Sequence, residues 1–150
     1  MATTPAEIIE LLGLEPLPHE GGMFAQTLVD EHCTAIYYFT EPGQFSALHR
    51  LDSTEVFHHY AGAPARMLLL HPDGTVTEPV LGSDFAAGER PQVIVPAGVW
   101  QGTSSLGAWT LLGTTMAPGF TWEGFELGEA DALVARWPDA EARIRELTRS

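Results

Sequence analysis

The chain has no lysine, and this absence excludes one class of catalysis. All seven basic residues are arginines, so no Schiff base can form on a lysine amine. Twenty acidic residues against these seven give a formal net charge of −13 at pH 7. Nucleic-acid backbones and anionic membranes are repelled on average, and we expect neither as a partner. A substrate anion can be held only locally, by a residue such as Arg50 or Arg66.

Cysteines and long apolar runs are also scarce. Cys33 is the single cysteine, which rules out an intrachain disulfide and fits a reducing compartment. No apolar run approaches the roughly 20 residues that a membrane helix needs. The first residues carry neither the basic segment nor the apolar core of a signal peptide. We therefore expect a cytoplasmic protein.

Short apolar segments separated by turn residues dominate what remains. A length of 150 residues favours one domain, 1–150, and the 15 glycines and 11 prolines favour many short strands. Alternating or β-branched segments predict strands at 23–29, 34–39, 66–71, 75–81, 92–95 and 108–116. Close spacing of such strands predicts a mainly β fold, an antiparallel sandwich or barrel over about 23–127.

Helices are predicted only at the two ends. Thr4 and Glu7 form a capping box with Pro5 at the first helical position, and Gly13 ends a helix over 4–13. Two short helices follow within about 129–148, interrupted at Pro138. Their apolar residues predict packing on the outside of the sheets. The loop over 16–22 is either a flap over a pocket or a solvated connector.

The richest stretch chemically is 43–62, which contains His49, Glu55, His58 and His59. Alternation along a strand places Glu55 and His59 on one face, so we prefer His59 to His58 as the inward histidine. The segment 52–54 predicts a turn, and a hairpin there would bring His49 close to Glu55 and His59. An imidazole beside a carboxylate is a candidate metal site or acid–base site.

The spacing of this stretch resembles the first conserved motif of the cupins. Gly43, His49, Glu55 and Gly62 match that motif, and Leu51 stands where its second histidine belongs. The second cupin motif is matched less fully. Pro96 and Gly98 are kept, and the departures are Arg90 for glycine, Gln101 for histidine and Ser105 for asparagine.

A larger set of segments resembles the cupin-type domain-of-unknown-function family that is compared with dTDP-sugar epimerases. They span roughly 18–127 and comprise 18–22, 36–39, 49–51, 55–62, 95–101 and 117–120. The resemblance implies a jelly-roll barrel with flanking helices, a pocket inside the barrel for a small-molecule substrate, and a homodimer. It also places the site on residues that occupy the motif positions: His49, Glu55 and Gln101.

The missing second histidine bears on the cofactor. Because Leu51 removes one nitrogen ligand and Gln101 is a weak neutral donor, we expect no cofactor. The alternative is a divalent ion, Fe, Ni, Mn or Zn, held by His49, Glu55, Gln101 and His59.

Roles follow for a metal-free site. His49 or His59 would act as base, with Glu55 orienting it or shifting its pKa, and Tyr38 would return a proton. Alternation does not decide whether Tyr37 or Tyr38 faces inward. The candidate substrate-binding residues are Gln101, Trp100, Phe57 and Phe120.

Three functions are compatible with these residues. The first is a metal-independent isomerase or epimerase of a carbonyl-bearing or sugar-like metabolite. The second is a metal-dependent cupin oxygenase or lyase. The third is a barrel that binds a small ligand without chemistry. The absent histidine at position 51 favours the first and the third.

Overall fold

A computed structural model of the protein describes residues 3–149. Its α-helices are α1 (Pro5–Leu12), α2 (Ala130–Arg136) and α3 (Glu141–Glu146). Its strands are β1 (Glu15–Pro16), β2 (Met23–Val29), β3 (Thr34–Thr40), β4 (Ser46–Leu51), β5 (Glu55–Gly62), β6 (Ala65–Leu70), β7 (Val76–Thr77), β8 (Val80–Leu81), β9 (Gln92–Val95), β10 (Trp100–Ser105), β11 (Thr110–Met116) and β12 (Phe125–Leu127). Short 3-10 helices lie at Phe85–Ala87, Trp122–Gly124 and Pro138–Ala140. The predicted fold class, mainly β with short terminal helices, is confirmed.

The strands form two antiparallel sheets that face each other. The first sheet has the order β1-β2-β3-β11-β5-β9, and the second has the order β12-β4-β10-β6-β7 with β8 also paired to β6. The run predicted at 75–81 is broken into β7 and β8 because Pro79 has no N–H for the ladder. The very short β1 and β12 were not predicted from the sequence.

One predicted pairing is wrong. β4 and β5 do not form a hairpin: β4 pairs with β10 and β12, whereas β5 pairs with β11 and β9. The turn at 52–54 carries the chain from one sheet to the other. His49 and Glu55 therefore meet across the barrel interior, between the sheets, rather than along a paired ladder.

Helices cover the outer faces of both sheets, as predicted. Thr4 accepts a hydrogen bond from the Glu7 amide, and Gly13 ends α1 in the left-handed conformation at φ 65°. α1 buries Ile8 against Phe39 on the outside of the first sheet. α2 and α3 bury Leu133 and Ile144 against the second sheet. Among residues 3–149, no helix is long and apolar enough to cross a membrane.

The interior between the sheets holds the core that surrounds the site. Its buried members include Tyr38, Phe57, Met67, Leu69 and Leu112. Polar side chains are buried beside them at a few positions, of which His49, Glu55 and Gln101 concern the function. Because a buried polar group must be paired or serve a ligand, these positions locate the candidate site.

Candidate functional site

A cavity of about 130 Å³ lies between the sheets and opens at one end of the barrel. Its lining residues come from both sheets and from two connecting loops: Leu17, Glu20, Phe24, Gln26, Thr34, Ala35, Ile36, Tyr38, His49, Leu51, Glu55, Phe57, Thr114, Met116, Phe120 and Trp122. Most of them are apolar. The acidic and imidazole side chains among them are Glu20 on a loop, His49 on β4 and Glu55 on β5, and the neutral polar ones are Gln26, Thr34 and Thr114.

His49 is held in one tautomer. Its Nδ1 atom lies 2.7 Å from the carbonyl oxygen of Ala47, and its side chain is almost fully buried. A carbonyl oxygen only accepts hydrogen bonds, so we assign the proton to Nδ1. Nε2 is then the ring atom that can gain or lose a proton. The ring also stacks on Phe125, with centroids 5.2 Å apart.

Glu20 faces this free nitrogen. Its Oε1 atom lies 3.7 Å from Nε2 of His49, and its Oε2 atom accepts a hydrogen bond of 2.6 Å from the Ser46 hydroxyl. The Glu20 backbone is fixed as well, because its carbonyl accepts hydrogen bonds from the Ala47 amide and the Arg149 guanidinium. The carboxylate is thus positioned to stabilise a positive charge that forms on His49.

Glu55 is a second buried carboxyl group, on the other sheet. The Gln101 side-chain amide donates a hydrogen bond of 3.1 Å to its Oε1 atom. Burial raises the pKa of Glu55 from 4.5 to about 7; the nearby His49 counters this rise, and the Glu20 charge adds to it. A carboxyl group that titrates near neutral pH can both donate and accept a proton there.

Tyr38, rather than Tyr37, faces the cavity. Its hydroxyl donates a hydrogen bond of 2.7 Å to the Gly21 carbonyl. Burial, reinforced by the charge of Glu20, raises the pKa of Tyr38 well above its ordinary value. The ring passes so close to Gly22 that a side chain there would collide with the hydroxyl, and Gly22 also has a φ of 77°. Glycine at this position lets the loop lie against Tyr38.

Aromatic side chains form the mouth of the cavity. Phe120 and Trp122 line it, with ring centroids 4.9 Å apart in an edge-to-face arrangement. His19 packs edge-on against Trp122 from the opposite loop, at 5.5 Å. Phe57 lies deeper and is buried. Phe57 and Phe120 are therefore at the cavity, as the sequence indicated.

Other predicted residues lie elsewhere. The prediction for Trp100 is wrong: it packs with Leu133 and Trp137 on the outer side of the second sheet, and Arg50 lies 4.7 Å from its ring centroid. It adjoins Gln101 on β10, and consecutive strand residues point to opposite faces. Gln101 reaches the site only through its hydrogen bond to Glu55.

The two neighbouring histidines do not line the cavity either. His59 lies an even number of residues after Glu55, so alternation places the two on the same face of β5. It nevertheless lies beyond Phe57, opposite Leu112, where its Nε2 atom is 3.1 Å from the Ala63 carbonyl oxygen. The structure thus corrects its placement in the site. His58 faces the outside of the sheet and stacks on Tyr60.

The side chains at the cavity do not fit a cupin-type metal centre. Leu51, which stands at a motif histidine, lines the cavity with an apolar side chain. Gln101 turns its amide nitrogen, a hydrogen-bond donor, toward Glu55. Within residues 3–149, no group of three His, Cys, Asp or Glu side chains is arranged to hold an ion. One imidazole and two carboxylates are a poor set for Fe, Ni or Zn.

Among the cavity residues that were not predicted from the sequence, Glu20 and Trp122 matter most for the chemistry. Both lie in connecting segments, and alternation says nothing about where a loop side chain points. One signal was available for Glu20, because it belongs to the stretch 18–22 that matched the family resemblance.

Comparisons with known proteins agree with this architecture. The sequence profile of the family described as Cupin superfamily (DUF985) matches residues 6–128. The crystal structure of a protein from Shewanella oneidensis is 33% identical, with 99% of each chain covered and a TM-score of 0.90. A hypothetical protein from Leishmania major is 25% identical over 99% of this chain and 100% of that chain, with a TM-score of 0.91.

A more distant likeness extends to an enzyme. Oxalate decarboxylase from Bacillus subtilis is 15% identical, with a TM-score of 0.63 over 89% of this chain and 37% of that chain. At this identity the likeness shows the fold alone. No curated protein matches the chain significantly.

Proposed function

The chain belongs to the DUF985 family of the cupin superfamily, and on that premise we propose that it is a metal-independent isomerase or epimerase of a small carbonyl-bearing metabolite. One observation carries the proposal. A histidine with a fixed tautomer has its free Nε2 atom at the cavity, 3.7 Å from a carboxylate that can stabilise its protonated form, and a carboxyl group that titrates near pH 7 lines the same cavity. Proton transfer next to a carbonyl requires such a general base and a general acid at one site.

His49, Glu55 and Glu20 each have one role in the proposed proton transfer. Nε2 of His49 takes the proton from the carbon next to the carbonyl, and the C–H electrons become the new C=C bond. Protonated Glu55 gives its proton to the carbonyl oxygen, so the substrate becomes a neutral enol. Glu20 stabilises the imidazolium that His49 has become. The Glu55 carboxylate is left to take back the hydroxyl proton when the carbonyl reforms.

The destination of the returning proton separates the two reactions. If the carbon that lost the proton carries a hydroxyl, His49 can give the proton to the former carbonyl carbon while the Glu55 carboxylate takes the proton of that hydroxyl. The carbonyl then stands on the neighbouring carbon, and the reaction is an isomerisation. If another group gives its own proton to the same carbon on the opposite face, the configuration inverts, His49 releases the proton it took to solvent, and the reaction is an epimerisation. Tyr38 is our candidate for that donor. To act, its hydroxyl must leave the Gly21 carbonyl and then recover a proton from solvent.

A metal-dependent cupin enzyme is the second candidate, and one observation favours it. The Oε1 atom of Gln101 is buried without a hydrogen-bond partner among the described residues. The third candidate, a barrel that only binds a ligand, shares the cavity and needs none of the proton-transfer roles. The experiment below separates the three.

The test is proton exchange in heavy water, followed by NMR on D-glyceraldehyde and D-glucosamine with the protein stripped of metal by a chelator. Both sugars, in their open-chain forms, carry a hydrogen on the carbon next to a carbonyl, and the first is the smaller relative to the cavity of about 130 Å³. The proposal expects loss of that signal with wild type and not with His49→Ala. Exchange that requires added metal supports the second candidate, and equal signals with wild type and variant contradict the proposal.

We also propose that two copies of the chain pair through β2. β1 covers only Met23 and Phe24 of that strand, so its outer edge is open from Ala25 onward in the described residues. Leu28 and Val29, at the end of this edge, are exposed. Light scattering on the purified protein should give twice the 16.3 kDa mass of one chain, and a monomer would contradict the pairing.

A further inference from the structure

We propose that the cavity selects ligands that carry a positively charged amine and rejects anions. The inference rests on the proposed function for the location of the site, and it names the class of substrate. It does not require turnover, because a barrel that only binds its ligand would show the same selectivity. Charge, aromatic surface and cavity size carry the argument.

The ionisable side chains that line the cavity are mainly acidic. Among the described residues that line it, Glu20 and Glu55 are carboxylic acids, His49 is the one imidazole, and none is an arginine. The sequence supplies no lysine, and the whole chain carries a formal charge of −13 at pH 7. An anionic ligand would enter an acidic cleft with no cation facing it, whereas a cation is attracted at long range and paired on arrival.

The arginines near the cavity, Arg149 and Arg50, bind other groups of the protein. The Arg149 guanidinium donates hydrogen bonds to the backbone carbonyls of Glu20 and Phe45 and lies 4.2 Å from the Phe45 ring centroid. It thereby fixes the loop from outside the cavity. Arg50 pairs with Glu126 on the outer side of the second sheet. Neither reaches a ligand beside His49.

Aromatic side chains supply the second component of an ammonium site. Phe24, Tyr38, Phe57, Phe120 and Trp122 all line the cavity. The negative faces of aromatic rings attract an organic cation, and tryptophan does so most strongly. Trp122 is 45% exposed at the mouth, where an entering ligand meets it first. Carboxylates and ring faces around one cavity match the chemistry of an amine attached to a small carbon skeleton.

Cavity size limits that skeleton. The volume of about 130 Å³ is close to that of the ~150 Å³ engineered cavity that holds benzene. The bound part of the ligand therefore has about six to ten non-hydrogen atoms. An amino ketone or the reactive half of an amino sugar meets this limit. A phosphorylated or nucleotide-linked sugar would bring anionic groups to a cavity that is lined by Glu20 and Glu55 and by no arginine, so the likeness to dTDP-sugar epimerases does not extend to their ligand.

The test uses three probes that share a cyclohexyl ring and carry a positive, a neutral and a negative substituent. Cyclohexylamine, cyclohexanol and cyclohexanecarboxylate share one ring and have no carbonyl next to an exchangeable C–H, so only binding is measured. Isothermal titration of wild type at neutral pH should show the amine binding about tenfold or more tighter than the alcohol, from ion pairing and cation–π attraction. The carboxylate should not bind at millimolar concentration.

Variants locate the effect. Glu20→Gln and Glu55→Gln should each reduce the preference for the amine over the alcohol severalfold. Glu10→Gln is the matched control, because it removes the same charge from an exposed position on α1 and should leave the preference unchanged. The wild-type measurement alone can overturn the inference, whether or not the variants fold.

Three results would overturn it: the alcohol binding as tightly as the amine, the carboxylate binding more tightly, or no probe binding at millimolar concentration. Failure of the proposed function looks different. In that case the amine preference persists while wild type and His49→Ala give the same proton exchange on D-glyceraldehyde and D-glucosamine.

Discussion

The Nε2 atom of His49 lies 3.7 Å from the Oε1 atom of Glu20, so a loop near the start of the chain supplies the carboxylate that faces the central histidine. The distance is too long for a hydrogen bond, and the contact becomes an ion pair when the imidazole is protonated. It closes a chain of polar contacts from the Ala47 carbonyl through the imidazole to Glu20 and the Ser46 hydroxyl. Because the loop is also fastened by Arg149, the carboxylate is held in place before a ligand arrives.

Replacing Glu20 should therefore impair catalysis more than folding. In Glu20→Gln the imidazolium loses its counter-charge, and we expect the exchange rate of the C2 hydrogen of D-glyceraldehyde to fall on the order of 100-fold. Glu10→Gln removes the same charge from α1 and should exchange at the wild-type rate. An unchanged rate in Glu20→Gln, in a variant that melts at the wild-type temperature, would remove Glu20 from the mechanism.

The raised pKa of Glu55 predicts that the free energy of unfolding depends on pH. The folded chain holds this proton up to about pH 7, whereas an ordinary glutamate releases it near 4.5. Between these values the folded state binds more protons than the unfolded state, so the contribution of Glu55 to stability is present below the lower value and is lost as pH rises toward 7.

This loss of stability can be measured by comparing wild type with Glu55→Gln. The free energy of unfolding of wild type relative to Glu55→Gln should be about 2 to 3 kcal/mol lower at about pH 8 than at about pH 5. Urea denaturation of both proteins at the two pH values gives the number. Glu10→Gln, at an exposed position on α1, should show no such trend. A flat difference for Glu55→Gln would mean that the pKa of Glu55 is not raised.

Tyr38→Phe distinguishes the two reactions. The variant keeps the ring and loses the hydroxyl that now bonds to Gly21. If Tyr38 returns the proton on the opposite face, conversion of D-glyceraldehyde to its L enantiomer should fall by about 100-fold or more, while exchange of the C2 hydrogen persists. Chiral chromatography and NMR on the same samples measure the two. Equal loss of both would assign Tyr38 to substrate binding.

Position 51 should control metal binding. In the Leu51→His, Gln101→His double variant, His49 gains two imidazole neighbours, because Leu51 lines the same cavity and Gln101 is paired with His49 in the ladder between β10 and β4. We expect elemental analysis to find near-stoichiometric Mn, Fe, Ni or Zn in this variant and little in wild type. Leu11→His, which adds a histidine at an exposed position on α1, is the control.

Local pattern was sufficient for most of the fold and for half of the site. Alternation places His49 and Leu51 on one face of β4, and the cupin spacing brings Gln101 opposite His49, as the register shows. The capping residues of α1 are also legible in the sequence, because they act within one turn of each other. Such features depend on neighbours a few residues apart, which the sequence records directly.

Most of the predictions that failed concern features that depend on contacts with distant parts of the chain. The segment 52–54 has the chemistry of a turn whether it closes a hairpin or links two sheets, and only the other partners of β4 and β5 decide. The position of Glu20 depends on Ser46 and Arg149, which alternation does not relate to it. Trp100 was a different kind of error, since a strand cannot turn both Trp100 and Gln101 to one side.

The most direct test of a metal-free proton-transfer site is heavy-water exchange measured together with metal content. Wild type and His49→Ala are treated with chelator, analysed for metal, and incubated with D-glyceraldehyde and D-glucosamine. Our account predicts that metal-depleted wild type exchanges the hydrogen next to the carbonyl and that His49→Ala does not. Exchange that disappears with the metal, and returns when Mn or Fe is added back, would contradict it.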